Sequence, residues 1–72
     1  MKPIGGKELA KLLESNGWIL ARINGSHHIY SKDGRIERIS IPIYVNKELK
    51  IGLLKHLIKL SGISEDEIYK YK

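Results

Sequence analysis

Apolar positions follow a helical period, then a strand period, then a helical one again. Leu9, Leu12 and Leu13 fall at i, i+3 and i+4 on one helix face, with Lys7, Glu8, Lys11 and Glu14 around the other side. Asn16-Gly17 supplies a left-handed stop, so the spacing predicts a helix from about Lys7 to Ser15. Trp18 to Ile23 is rich in aromatic and branched residues and reads as a strand, with Trp18 anchored in the core. Asn24-Gly25 is a strong hairpin signal because both residues tolerate positive φ, and His27 to Lys32 returns as a second strand. Asp33-Gly34 gives another turn. Arg35 to Ile43 then reads as a third strand with Ile39, Ile41 and Ile43 alternating onto one face. Pro42 has no N–H to give a ladder, so this strand ends there or lies at an edge. After the polar link Val45-Asn46-Lys47-Glu48, a second helix is predicted from about Lys50 to Ser61, stopped by Gly62. Ser64-Glu65-Asp66-Glu67 fits a capping box, opening a short third helix to about Lys70.

The order α-β-β-β-α plus a short C-terminal helix predicts an α+β fold. A three-stranded antiparallel meander would be packed on one side by two helices, the architecture of double-stranded-RNA-binding domains. Fold analogy alone gives no function. With 72 residues and no repeat or low-complexity tract, residues 1–72 read as one small domain. A chain of this size buries only roughly 60% of its unfolded surface. Zero Cys excludes a disulfide scaffold, a Cys-ligated zinc site and a cysteine nucleophile. No apolar run approaches the roughly 20 residues that cross a bilayer, and the N-terminus has no export-like stretch, so a cytoplasmic location is expected.

Thirteen Lys+Arg against eight Asp+Glu give a net charge of +5, with +6 carried by residues 1–60 and −1 by residues 61–72. A basic body suits a polyanion or an acidic protein, though basic surfaces also serve solubility. Few aromatics and no Phe argue against a broad base-stacking platform. Lys50, Lys55 and Lys59 lie along the second helix, where they either track phosphates or face solvent. Leu53, Leu57 and Leu60 form an i, i+4, i+7 stripe read as core, with an exposed partner patch as the alternative. Trp18 and Tyr30 read as core rather than stacking residues, and Tyr69 and Tyr71 as partly ordered.

Catalytic candidates are few. His27 and His28 follow the Asn24-Gly25-Ser26 turn. Histidine alone has an ordinary pKa near working pH, and a glycine-bearing turn lets a substrate approach while free N–H groups face a phosphate. Neighbours on a strand point to opposite faces, so the two histidines do not act as a pair. The same geometry argues against metal, since His56 lies on the second helix and no carboxylate stands at ligand spacing. Ser26 beside His27 is poor geometry for a nucleophile and its base. The competing reading makes both histidines polar residues of a solvated hairpin.

The segments Leu13-Glu14-Ser15-Asn16-Gly17-Trp18, Gly25-Ser26-His27 with Tyr30 three residues on, Leu49-Lys50-Ile51-Gly52-Leu53-Leu54 and Gly62-Ile63-Ser64 together resemble the HicA toxin family. The resemblance covers most of the chain in order. It implies a messenger-RNA interferase of a toxin–antitoxin pair that cuts RNA with a single histidine and no metal or other cofactor. It also implies neutralisation by a HicB-type antitoxin covering the active face. The family histidine after Gly-Ser falls on His27, with Gly25 shaping the approach and His28 as the neighbour if the alignment slips by one. The chain departs from the family's Pro-x-His at Pro42-Ile43-Tyr44.

The reading is therefore a toxin cleaving messenger RNA, with His27 catalytic and Gly25, Ser26, His28, Lys50 and Lys55 contacting RNA. Attack by the neighbouring 2′-hydroxyl, leaving a 2′,3′-cyclic phosphate, is the simplest chemistry. Its partners would be messenger RNA and the antitoxin, alone or in a homodimer or hetero-oligomer. The rival readings are a non-catalytic module gripping duplex RNA and an interaction subunit whose lysines meet an acidic partner.

Overall fold

The computed structural model describes the backbone of residues 4–44 and 47–71 and, among these, side chains as far as Ile68. The order is α1 (Gly6–Ser15), β1 (Ile19–Asn24), β2 (His27–Ser31), β3 (Ile39–Pro42), α2 (Ile51–Ser61) and α3 (Glu65–Tyr71). The strands form an antiparallel sheet in the order β1-β2-β3, so the α+β fold and its α-β-β-β-α order stand as expected. Among the described residues no helix is long and apolar enough to cross a membrane.

One core joins the layers. Leu9, Leu12 and Leu13 of α1 and Leu54, Leu57 and Ile58 of α2 bury against Tyr30, Ile39 and Ile41 of the sheet, with Ile4, Trp18, Leu49, Ile63 and Ile68 closing the edges. Residues opposite one another in an antiparallel ladder project to the same face. Tyr30 faces Ile39 and Leu20, and His28 faces Ile41 and Ile23, so these six define the helix-side face. His27, Ile29 and Ser31, with Arg22, Asn24, Ser40 and Pro42, define the outer face.

Several boundaries differ from the pattern. Trp18 is buried as predicted but precedes β1, its N–H donating to Leu13 O at 3.0 Å. β3 begins at Ile39 rather than Arg35. The Asp33-Gly34 turn does form, with Arg35 N–H on Lys32 O at 3.1 Å, but residues 35–38 then leave the ladder. Continuing that turn would pair Tyr30 with Glu37, whereas Tyr30 pairs with Ile39. The shift is two residues, an even number, so the isoleucines stay on the core face. Its cause is Arg35, which crosses to the end of α2 and donates from Nη2 to Leu60 O at 2.7 Å. The predicted leucine stripe divides: Leu57 is buried and Leu60 partly so, while Leu53 is exposed, because the buried face of α2 runs through Leu54, Leu57, Ile58 and Ser61.

The ends of α2 and α3 are held by specific contacts. Gly62 closes α2 at φ +77°, a left-handed cap conformation that side-chain-bearing residues rarely adopt. The buried Ser61 hydroxyl donates to Ile58 O at 2.7 Å and accepts from Ile63 N–H at 3.1 Å. At α3 the Ser64 carbonyl receives the Glu67 N–H at 3.2 Å, where a capping box would use the Ser64 hydroxyl. The Glu67 carboxylate instead accepts from Asn16 Nδ2 at 3.1 Å and ties α3 to the end of α1. Val45, Asn46 and the side chains of Tyr69 and Tyr71 lie outside the described residues.

Candidate functional site

The β1–β2 turn is open. Gly25 sits at φ +62° and a Cβ there would meet nothing within 4 Å, so backbone is presented to solvent without side-chain cover. Ser26 is half-buried, and its carbonyl accepts the Ile43 N–H at 2.8 Å, pinning the turn to the end of β3. His27 follows as the first residue of β2. It is exposed on the outer face, with Asn24 and Pro42 as its ladder partners. Tyr30 decides this orientation. Its ring fills the core, so His28 two residues earlier shares the inward face and is half-buried, while His27 and the half-buried Ile29 turn outward.

The predicted lysines occupy another part of the molecule. α2 covers the face carrying Ile39 and Ile41, so the exposed Lys50 and Lys55 belong to the helical layer and His27 to the opposite side of the sheet. Lys50 nevertheless lies near the same end. Gly5 bridges Glu48, and Leu49 N–H donates to Ile4 O at 2.9 Å, while neighbouring Gly6 packs on the Pro42 carbonyl. Gly25, Ser26 and His27 thus lie together at the β1–β2 turn, Lys50 stands towards the same end in the helical layer, and Lys55 stands further along α2. Tyr44, where the family pattern has histidine, is also exposed near this end.

A second basic site escaped the sequence reading. A cleft of about 300 Å³ between α2 and the β2–β3 connection is lined by Arg35, Glu37, His56, Lys59 and Leu60. His56 and Lys59 are three apart on one helix, a signal that was legible; Arg35 comes from a loop that the pattern assigned to a strand. Much of Arg35 is already engaged. Its Nε lies 3.3 Å from Glu37 Oε1, and its guanidinium is 5.6 Å from the centre of the Trp18 ring, with Lys32 Nζ at 5.9 Å from the same ring. A backbone hydrogen bond first, and then Arg35, hold the Glu37 carboxyl below its ordinary pKa. The buried Trp18 Nε1 has no hydrogen-bond partner among the described residues.

On the other side of the core, the Tyr30 hydroxyl donates to Glu14 Oε2 at 2.6 Å. Burial, then the hydrogen bond and charge of Glu14, push its pKa well above the usual phenol value. Tyr30 is therefore a structural neutral donor. Among the described residues no three of His, Cys, Asp and Glu come together in a group that would hold a metal ion.

No curated protein matches the chain at a significant level. The family model described as HicA toxin of bacterial toxin-antitoxin matches residues 6–63, from the first residue of α1 through the end of α2 to Ile63. The match takes in α1, the whole sheet, the Gly25-Ser26-His27 turn and α2, and the chain accordingly belongs to the HicA toxin family, the toxin side of a toxin–antitoxin system that pairs it with an antitoxin.

Proposed function

We propose that this toxin is an endoribonuclease that cuts messenger RNA, with His27 as its catalytic group. The observation that carries the reading is the placement of His27: exposed, first in β2, beside a turn whose Gly25 leaves open space for a strand of RNA. The imidazole takes the proton from the 2′-hydroxyl as that oxygen attacks the adjacent phosphorus. The same group, now imidazolium, gives a proton to the departing 5′-oxygen. The products are a 2′,3′-cyclic phosphate and a 5′-hydroxyl, and the step needs no metal or cofactor. General acid–base help of this kind is worth about 100- to 10,000-fold, which suits a slow enzyme. Backbone N–H groups around Gly25 and Ser26 would oppose the charge on the phosphorane, with Lys50, towards the same end of the molecule, assigned to RNA contact. Lys55 and the half-buried His28 are assigned to RNA contact rather than to proton transfer.

The test is induced expression of the parent, His27→Ala and His28→Ala, with growth and messenger RNA followed over time, alongside cleavage of a defined RNA by purified protein. Arrest and RNA loss that vanish only with His27→Ala support the reading. Unchanged toxicity in His27→Ala overturns it. RNA retarded in gels but left intact by the parent would assign a binding module instead.

A further inference from the structure

β1 is an edge strand, and all six of its residues are exposed, although three are large and apolar: Ile19 at 61%, Leu20 at 38% and Ile23 at 57% relative exposure. The helical layer covers Leu20 only in part and leaves Ile23 largely open on the inner face, and Ile19 is open on the outer one. The sheet's other edge is different. β3 has four residues, buries Ile39 and Ile41 and ends at Pro42, a short edge lacking one donor. A free edge strand offers a row of unpaired backbone N–H and C=O groups, and chains normally shield it. Here the shielding is slight: a register irregularity between Leu20 and Arg22, and one charge, Arg22.

We propose that β1 is where the antitoxin docks, adding one of its own strands to the sheet edge. The antitoxin follows from membership of a toxin–antitoxin family, and the manner of docking follows from the strand. Two properties select this occupant over a second copy of the chain. Each copy carries +5, and pairing β1 with β1 would bring two Arg22-bearing edges together, whereas a partner strand with an acidic side chain near Arg22 complements it. A six-residue edge also falls well short of the roughly 800 Å² per partner that a stable interface needs. A larger protein can make up that area by continuing along β1, which ends at Asn24, directly into the turn that carries His27. The same contact would bring the partner against His27, so the docking mode rests on the ribonuclease reading only for its inhibitory consequence.

The experiment uses the chain alone and the complex co-purified with the product of the reading frame adjoining its gene, and measures residue-resolved amide exchange. Strand addition slows alternate amides of residues 19–24 by at least about tenfold, leaving unchanged those already bonded to β2. The double variant Ile19→Ser/Ile23→Ser, altered only at exposed positions, should keep its circular dichroism and RNA cleavage. Its Kd for the partner should rise at least about 20-fold, and Arg22→Glu should weaken the complex as well. Protection confined to α2 or β3, or no complex with the adjoining product, overturns the proposal. Protection of β1 that grows with concentration of the chain alone assigns self-pairing, and protection by a short RNA assigns the edge to substrate; either also overturns it. None of these outcomes bears on His27→Ala, which tests the ribonuclease reading separately.

Discussion

Arg35 joins the β2–β3 connection to the end of α2 and to the Trp18 ring, and its removal should cost more than an ordinary surface substitution. Nη2 donates to Leu60 O at 2.7 Å, supplying a cation to one of the last carbonyls of α2, and the guanidinium lies 5.6 Å from the Trp18 ring centre. A hydrogen bond from a charged donor is worth about 1.5–3 kcal/mol when shielded. The Arg35 side chain is about one-third exposed, which brings that to about 1–2 kcal/mol. The cation over the indole adds about 0.5–1 kcal/mol. Arg35→Ala should therefore lose about 1.5–3 kcal/mol from a domain whose total stability is about 4–11 kcal/mol. At about 4–8 °C per kcal/mol, Tm falls by about 6–24 °C. Thermal denaturation by circular dichroism, with urea titration at fixed m, measures it. Arg35→Lys keeps the charge but not the planar stacking, and should fall between parent and alanine. Glu37→Gln removes only an exposed pair and should leave Tm where it was. An Arg35→Ala variant that melts within 2 °C of the parent would refute the clamp and with it the explanation of the β3 register.

A Cβ on Gly6 would lie 2.5 Å from the Pro42 carbonyl oxygen, so Gly6→Ala should destabilise by about 1–2 kcal/mol despite alanine's better helix propensity. Exposed Gly52 meets nothing within 4 Å, and Gly52→Ala should stabilise by about 0.5–1 kcal/mol; urea midpoints of the two variants check both signs. Tyr30→Phe should cost about 1 kcal/mol at neutral pH through loss of the Glu14 bond. Because the folded-state pKa of Tyr30 is raised, the unfolded chain gives up this proton first. The parent's stability is thus untouched by this group below about pH 10 and falls as pH rises beyond it, a component that Tyr30→Phe should lack in paired pH–denaturation curves. Purified parent should cut a defined RNA equally well with and without EDTA, whereas His27→Ala should lose at least about 100-fold in rate, read on a denaturing gel.

The order of elements was legible because each carries its own local signal: leucine spacing in α1, Asn24-Gly25 and Asp33-Gly34 at the turns, isoleucine alternation in β3, Gly62 after α2. The register of β3 was not, because it depends on a side chain reaching across space. Local turn chemistry at Asp33-Gly34 predicts a tight hairpin, and the turn bond is made, but Arg35 has a stronger partner at the end of α2 than a ladder position would give. Nor does a strand pattern say which face is covered. Ile19, Leu20 and Ile23 have the composition of buried strand residues, yet Leu20 is only partly covered and Ile19 and Ile23 stay largely open. A mismatch of this kind, apolar sequence without intramolecular cover, is what a surface completed by another chain leaves behind.

The candidate site was legible for a different reason. Alternation alone does not say whether Ile29 or Tyr30 turns inward, and with it whether His27 or His28 faces solvent. Tyr30 has the larger apolar surface and an acceptor, Glu14, placed on the outer flank of α1 where its hydroxyl can be satisfied while the ring stays buried. Placing the ring inward fixes the parity of the whole strand, because a period of two allows no partial rotation. His27 is thereby exposed by a contact made three residues away. The same parity carries His28 to the half-buried face. The two histidines were thus separated by the packing of one tyrosine, and a substitution at Tyr30 that reversed the strand's faces would exchange their environments without touching either.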